Sequence, residues 1–170
     1  MAAPTTDTVD DAGQVTAITN SDGTTPNVSA IGYDPDGRPT SMIDGTGAST
    51  WSYDTFGDLT SSVDGVGASV GYGYDARGNT TTITYPDAKT VTNTYDAVGQ
   101  LTGVKDSASN RTGFGYNADG VNTTLTYPNG TKVTNGFNAA NQQTSTTLAN
   151  GATTLAAITR APLNDRYVVV

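Results

Sequence analysis

The chain contains no cysteine, no histidine and no glutamate in its 170 residues. Without cysteine there is no disulfide framework. Without histidine and cysteine, catalysis loses its commonest general base and its thiolate nucleophile. Leucine is scarce, and methionine occurs only as Met1 and Met42. Glutamate, leucine, lysine and methionine are among the good helix formers, so their shortage argues against a helical fold. Only 14% of residues are charged, so threonine, serine and asparagine have to cover the surface. No apolar run approaches the ~18 residues that span a bilayer. The start, Met1-Ala2-Ala3-Pro4-Thr5-Thr6-Asp7, has neither the basic region nor the apolar core of a signal peptide. Eight Lys and Arg face sixteen acids, all Asp, for a net charge of -8. That balance, with no basic patch in the sequence, argues against nucleic acid as a partner.

What is present is β-sheet material. Threonine is the commonest residue, and its branched side chain suits a pleated strand. Gly, Asn and Asp come close behind, and these are turn residues. The composition predicts an all-β fold with many turns.

The turns recur with a period. The phrase aromatic-Asp/Asn-x-x-Gly appears as Tyr33-Asp34-Pro35-Asp36-Gly37 and Tyr53-Asp54-Thr55-Phe56-Gly57. It returns as Tyr74-Asp75-Ala76-Arg77-Gly78, Tyr95-Asp96-Ala97-Val98-Gly99 and Tyr116-Asn117-Ala118-Asp119-Gly120. Worn copies are Val9-Asp10-Asp11-Ala12-Gly13 and Phe137-Asn138-Ala139-Ala140-Asn141. The Asp/Asn markers stand at 10, 34, 54, 75, 96, 117 and 138, in steps of 24, 20, 21, 21, 21 and 21. A second turn lies midway in each period, at Asp44-Gly45, Asp64-Gly65, Pro86-Asp87, Ser107–Asn110, Pro128–Gly130 and Asn150-Gly151. One repeat is therefore two strands and two turns.

The chemistry of the signature is structural. Asp at the first turn position accepts backbone N–H bonds. Gly at the fourth supplies the left-handed residue of a type I turn with a G1 bulge. Asn141 can replace that glycine, because asparagine tolerates the same conformation. The segments between alternate with period two. Thr81, Ile83 and Tyr85 are assigned to one face, and Thr80, Thr82 and Thr84 to the other. Val91, Asn93 and Tyr95 alternate with Thr90, Thr92 and Thr94. Seven hairpins predict about fourteen strands side by side, with the signature aromatics in a row across one face. Trp51, Tyr72 and Phe114, two positions earlier, join that face.

Tyr-Asp-x-x-Gly at this period resembles the YD repeat of the RHS family over residues 9–158. The nearest matches are residues 72–79 and 95–102. The resemblance implies one long curved antiparallel sheet, a segment of a β-shell or solenoid-like spiral. The family includes bacterial RHS proteins, wall-associated proteins, toxin-complex shell subunits and teneurins. In it, the repeats wind a β-strip into a hollow shell, which in the toxins encloses a toxic domain. The implied organisation is an N-terminal extension over 1–8, the array over 9–158 and a tail over 159–170. Seven repeats are too few to close such a shell. The family's Asp-Pro-x-Gly self-cleavage segment has no counterpart, since Asp34-Pro35-Asp36-Gly37 lies inside a repeat turn.

Three functions are expected, none of them enzymatic and none needing a cofactor. The first is an extracellular or cell-surface bacterial wall segment, its partners a longer RHS-type shell and an enclosed polypeptide. The second is a filament or tube made by head-to-tail pairing of edge strands, Val9 to Thr19 with Gly151 to Val170. The third is a carbohydrate- or protein-binding module using surface Thr and Tyr. Calcium at Asp34-x-Asp36-Gly37 is the one metal reading. It lacks the bidentate acid of an EF-hand, and turn formation accounts for these aspartates. The residues expected to matter structurally are Tyr33, Asp34, Gly37, Tyr53, Asp54, Gly57, Tyr74, Asp75, Gly78, Tyr95, Asp96, Gly99, Tyr116, Asn117, Gly120, Phe137 and Asn138.

Overall fold

The computed structural model describes residues 5–160 and the strand Tyr167–Val169. The described residues form strands and turns without a helix, so none is long and apolar enough to cross a membrane. They fall into two compact units, residues 1–89 and 90–170.

In the first unit, β1 (Thr5–Val9) and β2 (Val15–Asn20) pair as a separate two-stranded sheet. The long step from 10 to 34 in the repeat explains the separation. Residues 21–29 intervene, and a single bridge, Ile18 to Val28, joins β2 to the downstream chain. The main sheet then begins with β3 (Ala30–Tyr33), β4 (Pro39–Asp44) and β5 (Gly47–Tyr53). It continues with β6 (Leu59–Val63), β7 (Ser69–Tyr74) and β8 (Thr80–Thr84). In the second unit come β9 (Thr90–Tyr95), β10 (Leu101–Lys105), β11 (Arg111–Tyr116) and β12 (Asn122–Thr126). The unit ends with β13 (Thr131–Phe137), β14 (Gln143–Asn150), β15 (Thr153–Arg160) and β16 (Tyr167–Val169). Strand order from β3 to β16 is the order of the chain, the up-and-down arrangement that short connections dictate. The seven expected hairpins are β1–β2 through β13–β14; the first stands apart, and the other twelve strands are joined by β15 and β16 in the main sheet.

Every signature turn closes in one way. The Asp34 N–H donates to the Arg38 carbonyl at 2.9 Å, and the Gly37 N–H to the Asp34 carbonyl at 3.0 Å. Gly37 has φ 81°, the left-handed value that the turn demands. Asp34 Oδ1 accepts the N–H groups of Asp36 and Arg38. The same pair of carboxylate bonds recurs at Asp54, Asp75 and Asp96. Asn117 and Asn138 accept the corresponding bonds with their amide oxygens. Asn141 takes the glycine position with φ 57°. The midway turns use the same geometry at 64–68 and 106–110, and Ala88 and Ser109 adopt φ 61° and 67° where glycine would be unstrained.

Each signature hairpin also carries a β-bulge that strict alternation missed. Tyr95 pairs with Leu101 but Thr94 with Gly103, so Thr102 is the extra residue. The skipped residue is threonine in all seven hairpins: Thr16, Thr40, Thr60, Thr81, Thr102, Thr123 and Thr144. Four of these hydroxyls, on Thr16, Thr60, Thr102 and Thr123, donate to the carbonyl just before the first residue of the signature, at 3.0–3.2 Å. The hydroxyl thus satisfies an acceptor where the ladder is interrupted. The bulge corrects one expectation of strict alternation. Thr80 lies opposite Tyr74, on the aromatic face, while Thr82 and Thr84 face the other way. It also explains why Leu101 and Val104, three apart, share a face.

Candidate functional site

The pairing register sorts the side chains into two unlike faces. In the first unit, Ile31, Tyr33, Met42, Trp51, Tyr53, Leu59, Val70, Tyr72, Tyr74 and Ile83 share one face. In the second unit, Tyr95, Leu101, Val104, Phe114, Tyr116, Leu125, Val133, Phe137, Leu148 and Ile158 do the same. The opposite face is glycine, serine and threonine with few larger side chains. Among the described residues no apolar side chain is buried. The apolar side chains of the aromatic face are half-buried by their cross-strand neighbours alone.

The signature tyrosines do more than pack. Tyr33 Oη donates to the Val15 carbonyl at 2.7 Å, and Tyr53 Oη to the Pro39 carbonyl at 2.9 Å. Tyr74 reaches the Leu59 carbonyl at 2.8 Å and Tyr116 the Leu101 carbonyl at 2.9 Å. Each acceptor is the strand residue that pairs with the preceding repeat's signature residue. A tyrosine therefore clips its own hairpin to the one before. Phe137, the last in the row, keeps the ring without the hydroxyl. Sequence reasoning placed these rings on one face but gave the hydroxyls no role. Burial raises the Tyr74 hydroxyl above its ordinary pKa, with the Asp58 and Asp54 charges adding to it.

On the glycine and threonine face, the glycine-containing pairs beside the bulges are crowded. A Cβ on Gly32 would lie 2.5 Å from Ser41 Oγ. Cβ atoms on Gly73, Gly115 and Gly136 would collide with the hydroxyls of Thr82, Thr124 and Ser145. In one repeat the roles are exchanged: Gly103 faces Thr94, whose Oγ1 would stand 2.9 Å from the added carbon. The small residue belongs to the pair, not to a fixed position in the repeat.

The turn carboxylates are committed to their turns. In Asp75 the Asn79 side-chain amide, then the Arg77 N–H, hold the carboxyl below the ordinary value. Asn110 does the same for Asp106, and the Thr46 hydroxyl for Asp44. At Asp34 partial burial raises the pKa, but the N–H and guanidinium of Arg38 outweigh it and the net shift is downward. Arg38 also lies 4.8 Å over the Tyr53 ring, tying one turn to the next repeat. Among the described residues no three acidic side chains are grouped as metal ligands. An open groove of about 620 Å³ runs beside two successive turns of the first unit, lined by Phe56, Tyr72 and Tyr74 with Asp54, Asp58 and Asp75.

Comparison with known proteins agrees with this architecture. The family model described as teneurin YD-shell matches residues 5–112, and that of the RHS repeat matches residues 95–132. No curated protein matches the chain. Among solved structures, the chain is similar to a TcdB2-TccC3 complex that includes Cdc42, with a TM-score of 0.71 and 14% identity. It is similar to TcdB2-TccC3 without its hypervariable C-terminal region, with a TM-score of 0.70 and 14% identity. It also resembles the Tc holotoxin pore of Photorhabdus luminescens, with a TM-score of 0.70 and 14% identity. In all three the match covers 97% of this chain and 10% of the other. The chain thus spans about a tenth of the length of the solved chains it matches. With more than half of its residues in one family model, the chain belongs to the teneurin YD-shell family, with RHS repeats.

Proposed function

We propose that this chain is a non-enzymatic wall segment of a larger extracellular bacterial YD shell, which encloses or displays another polypeptide. The observation that carries the reading is that within each unit the strand aromatics share one face, while no apolar side chain among the described residues is buried. A sheet of this kind leaves a large apolar face that further contacts would cover. A shell supplies what is missing, because its interior face is covered by its contents and its edges by further repeats. The fold match to Tc toxin chains about ten times longer supports the same reading.

A second reading is a filament built by edge pairing. It is favoured by β1, whose five residues are exposed throughout and pair on one side only. Light scattering with negative-stain imaging of the purified chain separates the two. A wall segment gives monomers or small irregular associates. Uniform fibres, lost when a proline is placed in β1 at Asp7, would replace the shell reading with the filament.

A further inference from the structure

The chain has eight Lys and Arg residues. Arg38 and Lys89 pair with turn aspartates. Lys105, Arg111 and Lys132 are exposed and make no ion pair among the described residues. The second unit brings these three together. Lys105 on β10 lies directly opposite Arg111 on β11. Gly113 on β11 lies opposite Thr126 on β12, which in turn lies opposite Lys132 on β13. All three cations therefore project from the glycine and threonine face, within four adjacent strands.

No acid stands among them. Strands β9 to β15 contain no aspartate at all. Asp106, in the nearest turn, spends both carboxylate oxygens on Ala108 and Asn110. Charge is also divided unevenly along the chain. Residues 1–89 hold twelve Asp and three basic residues, a net of -9, and residues 90–170 hold four Asp and five basic residues, a net of +1. In an acidic protein, these three cations are gathered on one face; Asp106, beside Lys105, stays ionised but is held in its own turn by Ala108 and Asn110.

The surface around them is shaped. The Arg111 guanidinium lies against the backbone of Gly103, where an added Cβ would be 2.7 Å from Nη2 and 2.9 Å from Nε. Glycine here makes room for the guanidinium, and Gly103 is one of two buried residues among those described. An open groove of about 430 Å³ lies alongside, lined by Arg111, Gly113, Thr102, Thr124, Thr126 and Phe114. From this arrangement we propose that the glycine and threonine face of β10–β13 binds an acidic polysaccharide. Its carboxylate or sulfate groups meet Lys105, Arg111 and Lys132, and its hydroxyls meet the threonines.

The chemistry of the face selects this class of polymer. On this face there is no aromatic ring for a nucleobase to stack on, since the register puts Phe114 opposite Leu125 on the other face. An interior sheet face of Gly and Thr offers a peptide no strand edge or apolar pocket, and the poly-aspartate comparison below separates an acidic peptide from a polysaccharide. Arg111 and Lys132 stand two strands apart, about 10 Å in the pairing direction. That suits a chain carrying an acid on alternate sugars.

The test is binding of the intact chain to polygalacturonate and to dextran sulfate, with unmodified dextran and poly-aspartate as comparison polymers. Both acidic polysaccharides should bind, and dextran should not. Binding should weaken about tenfold or more between 50 and 200 mM salt, as counterion release at three cations requires. The triple variant K105Q/R111Q/K132Q should lose about tenfold or more in affinity, while K89Q, in a paired turn, keeps it. Circular dichroism checks that the triple variant keeps its sheet. Failure of both acidic polysaccharides to bind, or unchanged binding by the triple variant, would overturn the proposal. Equal binding of poly-aspartate would overturn the saccharide assignment. The wall-segment reading stands whichever way these results fall.

Discussion

The Tyr74 hydroxyl donates to the carbonyl of Leu59 at 2.8 Å, the residue that pairs with Tyr53 in the preceding repeat. This bond turns a signature that looks local into a link between hairpins. Tyr74→Phe keeps the ring and removes the link. It should destabilise the chain by about 0.5–1.5 kcal/mol, the net worth of one hydrogen bond. Tyr74→Ala also removes the half-buried cross-strand packing and should cost about 1–2.5 kcal/mol, more than Tyr74→Phe. Denaturant titration of both variants checks the order. An unchanged midpoint in Tyr74→Phe would mean that the hydroxyl carries no stability.

The crowded pairs beside the bulges give a swap test. Gly73→Thr places a side chain against the Thr82 hydroxyl and should destabilise by about 1–3 kcal/mol. Adding Thr82→Gly should recover most of the loss, since Thr94 and Gly103 already show the exchanged arrangement. A double-mutant cycle reads the coupling directly. Additive losses would refute the idea that the pair sets the size limit.

Much of this fold is legible in the sequence. The Asp-x-x-Gly turns announce themselves, because each residue has a distinct backbone task. The aromatic row can be read from position alone. The bulges are not legible in the same way. A threonine seven residues after the aromatic looks like one more good strand residue, and only the register shows that it is skipped. Nor could period two place Thr80 correctly, since the bulge resets the alternation. The cation cluster was hidden for a related reason: Lys105, Arg111 and Lys132 are scattered in sequence, and only pairing across β10–β13 gathers them.

Ala88 and Ser109 carry no sequence signal that marks them as left-handed residues. At φ 61°, Ala88 carries a strain of about 1 kcal/mol that glycine would not. Ala88→Gly should therefore stabilise by about 0.5–1 kcal/mol, measured by thermal or denaturant unfolding. A loss of stability would show that the turn at 85–89 is not strained.

The turn aspartates set the response to pH. The Asp75, Asp106, Asp44, Asp87 and Asp34 carboxyls all sit below the ordinary value. The Thr25 hydroxyl and N–H hold Asp22 at about 2. A lowered native pKa means that the unfolded chain binds protons first as pH falls. The stabilisation is complete above the unfolded carboxyl value of ~3.9 and is lost as pH drops through the lowered native values. With no histidine to titrate, the melting temperature should be flat from about pH 5 to 8 and fall below about pH 4. Asp75→Asn combined with Asp106→Asn should flatten the acid limb. A maximum inside the flat range would contradict this assignment.

The central claim is that the aromatic face is a surface awaiting cover rather than half of a closed core. Trp51, the one tryptophan, lies on that face and reports on it alone. Acrylamide quenching of Trp51 emission in the native, monomeric chain is the most direct measurement. Efficient quenching and red-shifted emission are expected, both reversed when the chain is incorporated into a longer shell. Blue-shifted emission that resists quenching in the isolated monomer would contradict it, because the face would then already be buried.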